Sequence, residues 1–504
     1  MTKAMKKKTR KIEIEKNCAV VAYDTETSHN KPNGFTQVLS FAAILCDHNF
    51  TIIDEFEEVS RLNRFSVIPA AGALLVNNFT PNELKQHQSN YDMTRSVINK
   101  LSEWIKRYER VYFIAYNDAF DKSLFRSSMA WNNLLPDKMY IMNTLPASEI
   151  DALKLAHCLG SFSSDLQIPI SEQTGKKSFR LEGLAKENNI VVPDGEFHTA
   201  IYDVRVMVEF IKKFNQTNPD ILQSLKNTSH KSKVVQMLNS ENNFWVNLAY
   251  YGGKEYLYPI SFIGSIDSDP NTCVFIDLKH FTEDMLDMSV MDLKKIQSRR
   301  TNRVVLERYA NKNPILLEDT YYAEKEEYVG IKHSAIQKRH ELIQNSKEFK
   351  NRIMSIMFDV KSEMQWDNSW NYAEEALYAG FVSAADKKQC EEFHNESDWK
   401  NKKKIIKGFH DPRLVELAYN LCFLNAPEVL EENELSKARN RIIGRINDIN
   451  ADKKAPYMTI QNAQDDIDDL RAQFEEANDK KKLDKLEEIN QYIEELKEEI
   501  ETYA

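Results

Sequence analysis

The sequence predicts a multidomain protein that begins with a mixed α/β domain and ends in an all-α domain. Its 504 residues exceed what one hydrophobic core usually serves, so two to three domains are expected. Apolar runs typical of buried strands alternate with helical patterns over about residues 11–218. From residue 348 onward, apolar residues recur at helical spacing to the end of the chain.

The composition excludes several classes of protein. Hydrophobic residues make up 42% and charged residues 29%, and no apolar run approaches the ~20 residues that a membrane span needs. Residues 1–16 form a basic tail without the apolar core of a secretory signal, so we expect a cytoplasmic protein. The six cysteines are scattered without a CxxC pair, which argues for reduced thiols and against a zinc or disulfide framework.

For nucleic-acid binding, the distribution of charge along the chain matters more than the net charge. A net charge of −10 argues at first against a nucleic-acid partner, because phosphate binding needs a cationic surface. The acidic excess lies near the C-terminus, however, and basic clusters occur at residues 299–303, 400–407 and 437–445. Such runs are more often solvated faces than binding sites, so they permit a polyanion groove without establishing one.

The first element is a buried strand that ends in two carboxylates. Residues 20–28 contain Asp24 and Glu26, and strand residues two apart share a face. A hard divalent cation such as Mg²⁺ or Mn²⁺ commonly offsets the repulsion of two carboxylates held so close. The pattern suggests a metal site; the alternative is a strand end that faces water.

Two more strands and a helix follow. Residues 38–46 and 51–56 are predicted strands, and the polar turn at 47–49 makes them an antiparallel pair at the sheet edge. Residues 84–108 have the apolar spacing of an amphipathic helix.

The next strand leads to a third carboxylate. Residues 111–117 are strongly apolar, and the loop after them reaches Phe120 and Asp121 at the start of a helix predicted over 122–131. Asp121 is placed either to cap this helix or to bind a metal ion.

The segment 196–207 decides whether these carboxylates are interpreted as a metal site or as structural residues. Apolar spacing predicts a helix that carries Asp203, preceded by a turn at 193–195. His198 lies five residues before Asp203, so we expect it on the loop entering the helix, where it can approach a substrate. A single histidine there is usually structural, but its combination with Asp24-x-Glu26 and Asp121 favours a functional site.

Tyrosines cluster in the middle of the chain, between predicted strands at 244–248 and 273–278. Tyr250 and Tyr251 precede Lys254, and aromatic rings beside a cation suit base stacking in single-stranded nucleic acid. The alternative is that these tyrosines form the wall of a β-barrel.

Together these segments resemble the three exonuclease motifs of the histidine-bearing branch of the DEDD superfamily. Asp24 and Glu26 match motif one, Asp121 matches motif two, and His198 with Asp203 match motif three. Within the superfamily, the chain is most similar to the bacterial exodeoxyribonuclease I family. Further blocks of that family's pattern cover most of the chain, at residues 68–74, 79–81, 179–182, 311–316, 329–331, 377–381, 385–386 and 411–414.

The resemblance implies a fold of three domains after the basic tail. Residues 17–218 would form an α/β ribonuclease-H-like nuclease domain, and residues 219–360 an SH3-like β-barrel domain with helical insertions. Residues 361–504 would form an all-α domain that closes the groove over the DNA.

The resemblance also implies an activity: processive removal of 5′-mononucleotides from the 3′ end of single-stranded DNA by a two-metal-ion mechanism, in DNA repair and recombination. Asp24 would bridge two Mg²⁺ ions, for which Mn²⁺ can substitute. Glu26 and Asp203 would complete one shell, Asp121 would hold the second ion through water, and His198 would be the general base. Expected substrate contacts are Thr25, Phe120, Arg180, Tyr250, Tyr251 and Lys254.

The chain departs from the family at its expected protein partner. The family binds the tail of the single-stranded-DNA-binding protein through basic pockets, but the corresponding positions here are Gly160, Glu318 and Ala323. That partner is left open, and a monomer that binds single-stranded DNA and no membrane is expected. The motif-two loop is also one residue shorter than usual, which would shift Asp121 slightly.

Two other functions share parts of this pattern. An RNA-directed or proofreading-like DEDD exonuclease would keep the five catalytic residues, but the long C-terminal match favours the DNA enzyme. A non-catalytic DNA-end-binding protein would be expected to lack at least one of the five, and all are present.

Overall fold

The computed structural model describes residues 17–192, 198–240, 243–298, 301–363, 369–448 and 455–502. The predicted basic tail at 1–16, the turn at 193–195, and Arg299 and Arg300 lie outside these ranges. No helix within them is long and apolar enough to cross a membrane. All six cysteines are buried, and none of them forms a disulfide.

The N-terminal region is built on a mixed five-stranded sheet. Its strands are β1 (Cys18–Thr27), β2 (Val38–Cys46), β3 (Ile52–Val59), β4 (Arg110–Ala115) and β5 (Ala147–Asp151). They pair in the order β3-β2-β1-β4-β5, with β2 antiparallel and β4 parallel to β1. Hydrophobic cores cover both faces of β1. The end of β1 is therefore held firmly from two sides.

The described residues of this region also form the helices α1 (Ala71–Val76), α2 (Pro81–Leu84), α3 (Asn90–Lys106), α4 (Ala119–Leu124), α5 (Ala152–Phe162), α6 (Leu181–Glu187), α7 (Ala200–Thr217), α8 (Pro219–Asn227) and α9 (Lys231–Ser240). A π-helix (Phe125–Trp131) continues α4, and short 3₁₀ helices occur at Pro136–Lys138 and Ile141–Asn143.

Two predicted helix starts were wrong. The helix predicted from residue 84 begins at Asn90, because Ser89 accepts a hydrogen bond from the Asp92 N–H and caps it. The helix predicted from residue 122 begins earlier, at Ala119.

The middle region contains a second sheet, which is antiparallel. Its strands are β6 (Trp245–Tyr251), β7 (Lys254–Ile266), β8 (Asp269–Asp277), β9 (Val305–Tyr309) and β10 (Leu316–Glu318). They pair in the order β10-β6-β7-β8-β9. Because β9 and β10 are not paired with each other in the described residues, closure into the predicted barrel is not confirmed. The helices of this region are α10 (Val290–Gln297), α11 (Glu326–Val329), α12 (His333–Asn345) and α13 (Lys347–Ser362), with 3₁₀ helices at Glu283–Asp287, Ala310–Lys312 and Asp319–Lys325.

The C-terminal region is helical, as predicted. Its helices are α14 (Ala384–Asn395), α15 (Trp399–Ile405), α16 (Pro412–Asn425), α17 (Glu432–Ile446), α18 (Ile460–Glu476) and α19 (Lys480–Glu501), with 3₁₀ helices at Ala373–Tyr378, Ile406–Gly408 and Pro427–Val429. Helices α18 and α19 pack against each other as a hairpin, and both contact α1.

The loop that leaves β1 is attached to this helical region. The Lys31 ammonium donates to the carbonyl of Ala455 at 3.3 Å, and the Asn33 amide donates to the carbonyl of Pro456 at 2.8 Å. The backbone of Gly34 lies so close to the carbonyl of Glu374 that a Cβ would clash with it. The helical region thereby lies directly beside the carboxylate-bearing end of β1.

Candidate active site

Three carboxylates meet at the end of β1. Asp24 and Glu26 on β1 and Asp203 on α7 each offer an oxygen, and these oxygens all lie within 4.8 Å of one another. The alternation along β1 explains why these carboxylates meet, because Val20 and Ala22, four and two residues before Asp24, lie in the core that α7 also enters. The sequence-predicted pair and Asp203 are therefore brought together by one packed face.

The Asp203 carboxylate is only partly satisfied by the protein. The backbone N–H of His198 donates to its Oδ2 at 3.3 Å. Its Oδ1 is buried and has no hydrogen-bond partner among the described residues. A buried oxygen without a donor is costly unless a ligand satisfies it, and a cation shared with Asp24 and Glu26 would do so.

His198 lies on the loop that enters α7, as predicted. Its backbone is in the left-handed region, with φ of 68°. Its side chain is exposed, and its N–H is fixed by Asp203.

Asp121 lies beside the three carboxylates but outside their 4.8 Å group. Its Oδ1 accepts a 2.6 Å hydrogen bond from the hydroxyl of Thr25, which stands between Asp24 and Glu26. The residue at the N-cap of α4 is Asp118, so Asp121 is not the cap. Thr25, which we expected to contact substrate, directs its hydroxyl at this carboxylate.

The electrostatics of the group are those of crowded, buried acids. Burial is the largest cause that raises the pKa of Glu26 to about 9, that of Asp121 to about 7 and that of Asp203 to about 6. The pKa of Asp24 is also raised, first by burial and then by repulsion from Asp121, Glu26 and Asp203. A divalent cation would stabilise the charged forms of all four.

A buried network of hydrogen bonds and ion pairs lies next to Asp121 and was not predicted from the sequence. The Tyr23 hydroxyl donates to Asp118 Oδ1 at 3.1 Å, and the Lys122 ammonium pairs with the other oxygen of Asp118. The same ammonium lies 3.2 Å from the buried carboxylate of Glu149 on β5. These contacts tie α4 to β1 and β5. The four-residue spacing of Asp118 and Lys122 was a visible signal, whereas Glu149 lies on a strand that was not predicted.

A cleft of about 570 Å³ opens beside Glu26. It is lined on one side by Thr25, Glu26, Phe120 and Asn77, and on the other by Met458, Asp465 and Asp469. Its volume is in the range of small-ligand sites, and it runs between the N-terminal region and α18. Phe120 therefore lines the same cleft as Glu26.

The remaining expected substrate contacts differ in how accessible they are. Arg180, Tyr251 and Lys254 are exposed. Tyr250 is instead packed: its ring stacks on His157 with centroids 4.2 Å apart. Of the two tyrosines, Tyr251 is the one whose ring is open to a ligand.

Comparison with known proteins shows what the chain resembles. Residues 371–496 match the family model of the Exonuclease I C-terminal domain. Exodeoxyribonuclease I of Buchnera aphidicola (subspecies Acyrthosiphon pisum) is 25% identical over 394 residues, which cover 75% of this chain and 90% of that protein. Exodeoxyribonuclease I of Escherichia coli K12 is 22% identical over 493 residues, which cover 94% of this chain and 97% of that protein.

Solved structures match this chain over nearly its full length. E. coli exonuclease I in complex with a dA16 oligonucleotide matches with a TM-score of 0.76 and 20% identity, covering 95% of this chain and 100% of that one. A complex of SSB and exonuclease I matches with a TM-score of 0.74 and 19% identity, covering 95% and 100% of the two chains. This chain therefore has the fold of these structures.

Proposed function

We propose that this chain, which resembles bacterial exodeoxyribonuclease I over almost its entire length, removes 5′-mononucleotides processively from the 3′ end of single-stranded DNA. The observation that carries the proposal is the group of three carboxylate oxygens from Asp24, Glu26 and Asp203 within 4.8 Å. The two relatives are matched over 90% and 97% of their lengths, which supports extending the proposal to the whole activity.

The donor set fits a divalent cation, because it consists of clustered carboxylates and includes the unpartnered Oδ1 of Asp203. We propose Mg²⁺ as the cofactor, with Mn²⁺ as a substitute. Asp24 would contact both of two ions, Glu26 and Asp203 would hold one, and Asp121 would hold the other through water. Bound ions would supply a nucleophilic water at neutral pH and stabilise charge on the leaving 3′-oxygen.

The chain's own residues supply the proton transfer and the positioning. His198 is the proposed general base, since its side chain is exposed at the start of α7 while its backbone is tied to Asp203. Thr25 fixes Asp121 through its hydroxyl. Phe120 lines the cleft and would pack against the terminal nucleotide.

The helical region gives processivity a physical basis. We propose domain boundaries at 17–218, 219–360 and 361–504, after the tail at 1–16. Contacts from Lys31 and Asn33 to residues 455–456 support a helical domain that encloses the strand beside the site. An enclosed strand slides more readily than it dissociates, and its affinity should fall with salt as phosphate contacts are screened.

The proposed setting is a cytoplasmic monomer that acts in DNA repair and recombination. Six buried cysteines that form no disulfide suit a reducing compartment. The solved complex of SSB with exonuclease I supports the single-stranded-DNA-binding protein as a partner. Gly160, Glu318 and Ala323 lack the basic side chains that the resemblance led us to expect there, so that contact would use other residues.

Digestion of a 5′-labelled single-stranded DNA tests the proposal, with Mg²⁺ or EDTA and with RNA and duplex DNA as parallel substrates. We expect Mg²⁺-dependent shortening from the 3′ end, release of mononucleotides and, with an excess of unlabelled trap DNA, few intermediate lengths. Degradation of RNA instead would contradict the proposed substrate. Binding of the DNA without cleavage would favour the non-catalytic alternative.

A further inference from the structure

Two aromatic side chains of the C-terminal region are displayed to solvent with little contact to the rest of the fold. Tyr378 is 66% exposed, and Phe381, three residues later, is fully exposed. Large aromatic residues normally contribute to stability by burial, so an exposed pair of this kind points to a surface kept for a ligand.

Hydrogen bonds from Arg413 hold the segment that carries this pair. The nearly buried guanidinium of Arg413 donates to the carbonyls of Ala376 at 2.9 Å and Gly380 at 3.1 Å. The same group forms a 2.6 Å ion pair with Asp411. Ser383 then caps α14 directly after the segment. Tyr378 and Phe381 are therefore presented at fixed positions.

Each member of the pair has an aromatic neighbour. Phe381 and Trp370 line a shallow groove of about 380 Å³ that His410 also borders. Tyr378 is within hydrogen-bond reach of Tyr140, so that burial first and then the Tyr378 hydroxyl raise the pKa of Tyr140. The surface thus offers flat rings from both the N-terminal and C-terminal regions.

Positive charge accompanies these rings. The Arg126 guanidinium, which also pairs with Glu149 at 3.4 Å, lies over the ring of Tyr140, 4.8 Å from its centroid. Lys138, two residues before Tyr140, is exposed. Rings combined with cations match the bases and phosphates of a nucleic-acid strand better than they match an apolar protein surface.

These rings lie on elements that are joined to α4, which carries Asp121. Arg126 follows Asp121 by five residues, on the π-helix that continues α4. Trp131 ends that π-helix, and its indole N–H donates to the carbonyl of Ala373 at 2.8 Å. Ala373 begins the 3₁₀ helix that ends at Tyr378. Tyr378 is therefore fixed relative to Asp121 through neighbouring elements.

We propose that Tyr378 and Phe381, together with Tyr140 and Arg126, form a stacking platform for the bases that follow the nucleotide being removed from single-stranded DNA. The inference rests on the proposed function, whose substrate it places on a named surface. Stacking on aromatic rings tolerates any base, which suits a strand that must advance one nucleotide at a time.

The test compares the parent with the double variant Tyr378→Ala, Phe381→Ala. The Kd for fluorescein-labelled dT20 is measured by anisotropy in EDTA, and kcat and KM are measured with Mg²⁺ on dT20 and on a thymidine dinucleotide. We expect Kd and KM for dT20 to rise about 10-fold or more, in line with the loss of two stacking contacts. The kcat on dT20 and the rate on the dinucleotide, which lacks the following nucleotides that are proposed to stack on the platform, should stay unchanged.

Matched variants separate stacking from other effects. Tyr378→Phe and Phe381→Trp keep a ring and should bind dT20 as the parent does. Phe358→Ala removes an aromatic side chain that is 50% exposed on α13 and should change neither substrate. An unchanged Kd for dT20 in the double variant would overturn the platform, and so would an equal loss on the dinucleotide. If the parent binds dT20 but cleaves neither substrate, the proposed function fails while the Kd comparison still tests the platform.

Discussion

The hydroxyl of Thr25 donates a 2.6 Å hydrogen bond to Oδ1 of Asp121. This bond joins the end of β1 to the first turn of α4, so it sets the position of a carboxylate contributed by a different part of the chain. It also opposes burial, which raises the pKa of Asp121 to about 7. A single hydroxyl thereby favours the charged form of Asp121 at the place where a metal ion would need it.

Replacing Thr25 with valine keeps the side-chain shape and removes the donor. Hydrogen bonds to charged groups contribute about 1.5–3 kcal/mol, so we expect kcat on single-stranded DNA to fall roughly 10- to 100-fold. Thr25→Ser retains the hydroxyl and should recover most of the rate. A Thr25→Val enzyme with the parent's kcat would show that Asp121 does not depend on this bond.

The raised pKa values predict that metal binding displaces protons. Glu26, with a pKa of about 9, is protonated at pH 7 without metal, whereas a metal ligand must be a carboxylate. We expect the Mg²⁺ affinity to increase as the pH rises from about 6 to about 9, the range spanned by Asp203 and Glu26. Calorimetry in two buffers of different ionisation enthalpy should detect the released protons. Equal heats in both buffers would contradict the linkage.

The same shift predicts how metal-free stability depends on pH. Unfolded Glu26 titrates near its ordinary value of 4.5, and the folded group near 9, so the folded state holds the proton more tightly. Its contribution to stability is therefore fully present below pH 4.5 and is lost as the pH rises toward 9. Urea unfolding should show that Mg²⁺ stabilises the protein more at pH 8.5 than at pH 6. The reverse order would refute the assignment of Glu26.

Gly34→Ala tests the attachment of the helical region to the loop after β1. The added Cβ would clash with the carbonyl of Glu374, a backbone atom that cannot turn aside. We expect a loss of about 1–3 kcal/mol in the free energy of unfolding, with lower processivity. Gly444→Ala is the control, because its Cβ would meet open space on α17 and should be neutral or slightly stabilising. Equal unfolding midpoints for the two variants would show that the loop can move away freely.

Lys122→Met tests the buried network beneath Asp121. The change leaves Asp118 without its paired cation and weakens the charge balance at Glu149, so we expect destabilisation of about 3–5 kcal/mol. Lys388 makes the same four-residue pair with Glu392 on an exposed surface, with side chains 78% and 50% exposed. Lys388→Met should therefore change stability by no more than about 0.5 kcal/mol. Comparable urea midpoints for the two variants would mean that the buried pair adds nothing.

The carboxylates on regular elements were accessible from sequence because their signals are local. Apolar runs and alternation predict β1 and the shared face of Asp24 and Glu26, and helical spacing predicts α7 with Asp203. The strand β5 was missed because Ala147–Asp151 has a serine and two acids in five residues and no clear alternation. Lys122 and Arg126, distant in sequence, compensate the buried charge of Glu149, and the Asn143 amide donates to the same carboxylate. Such compensation depends on the assembled fold and has no local pattern.

The sequence also could not predict which of the two adjacent tyrosines is exposed. Tyr250 and Tyr251 are adjacent, yet strand alternation turns one toward His157 and leaves the other 62% exposed. Which of the two faces the N-terminal region depends on how the second sheet packs against α5, and a local pattern does not contain that information.

The rate of Asp203→Asn shows whether the clustered carboxylates form a catalytic metal site. The substitution keeps the shape of the side chain and removes its charge, while Asp484→Asn makes the same change on the exposed surface of α19. We expect Mg²⁺-dependent shortening of single-stranded DNA to fall at least about 100-fold in Asp203→Asn. DNA binding in EDTA should persist in that variant, and Asp484→Asn should match the parent. An Asp203→Asn protein that degrades the DNA within twofold of the parent's rate would contradict a catalytic role for this group.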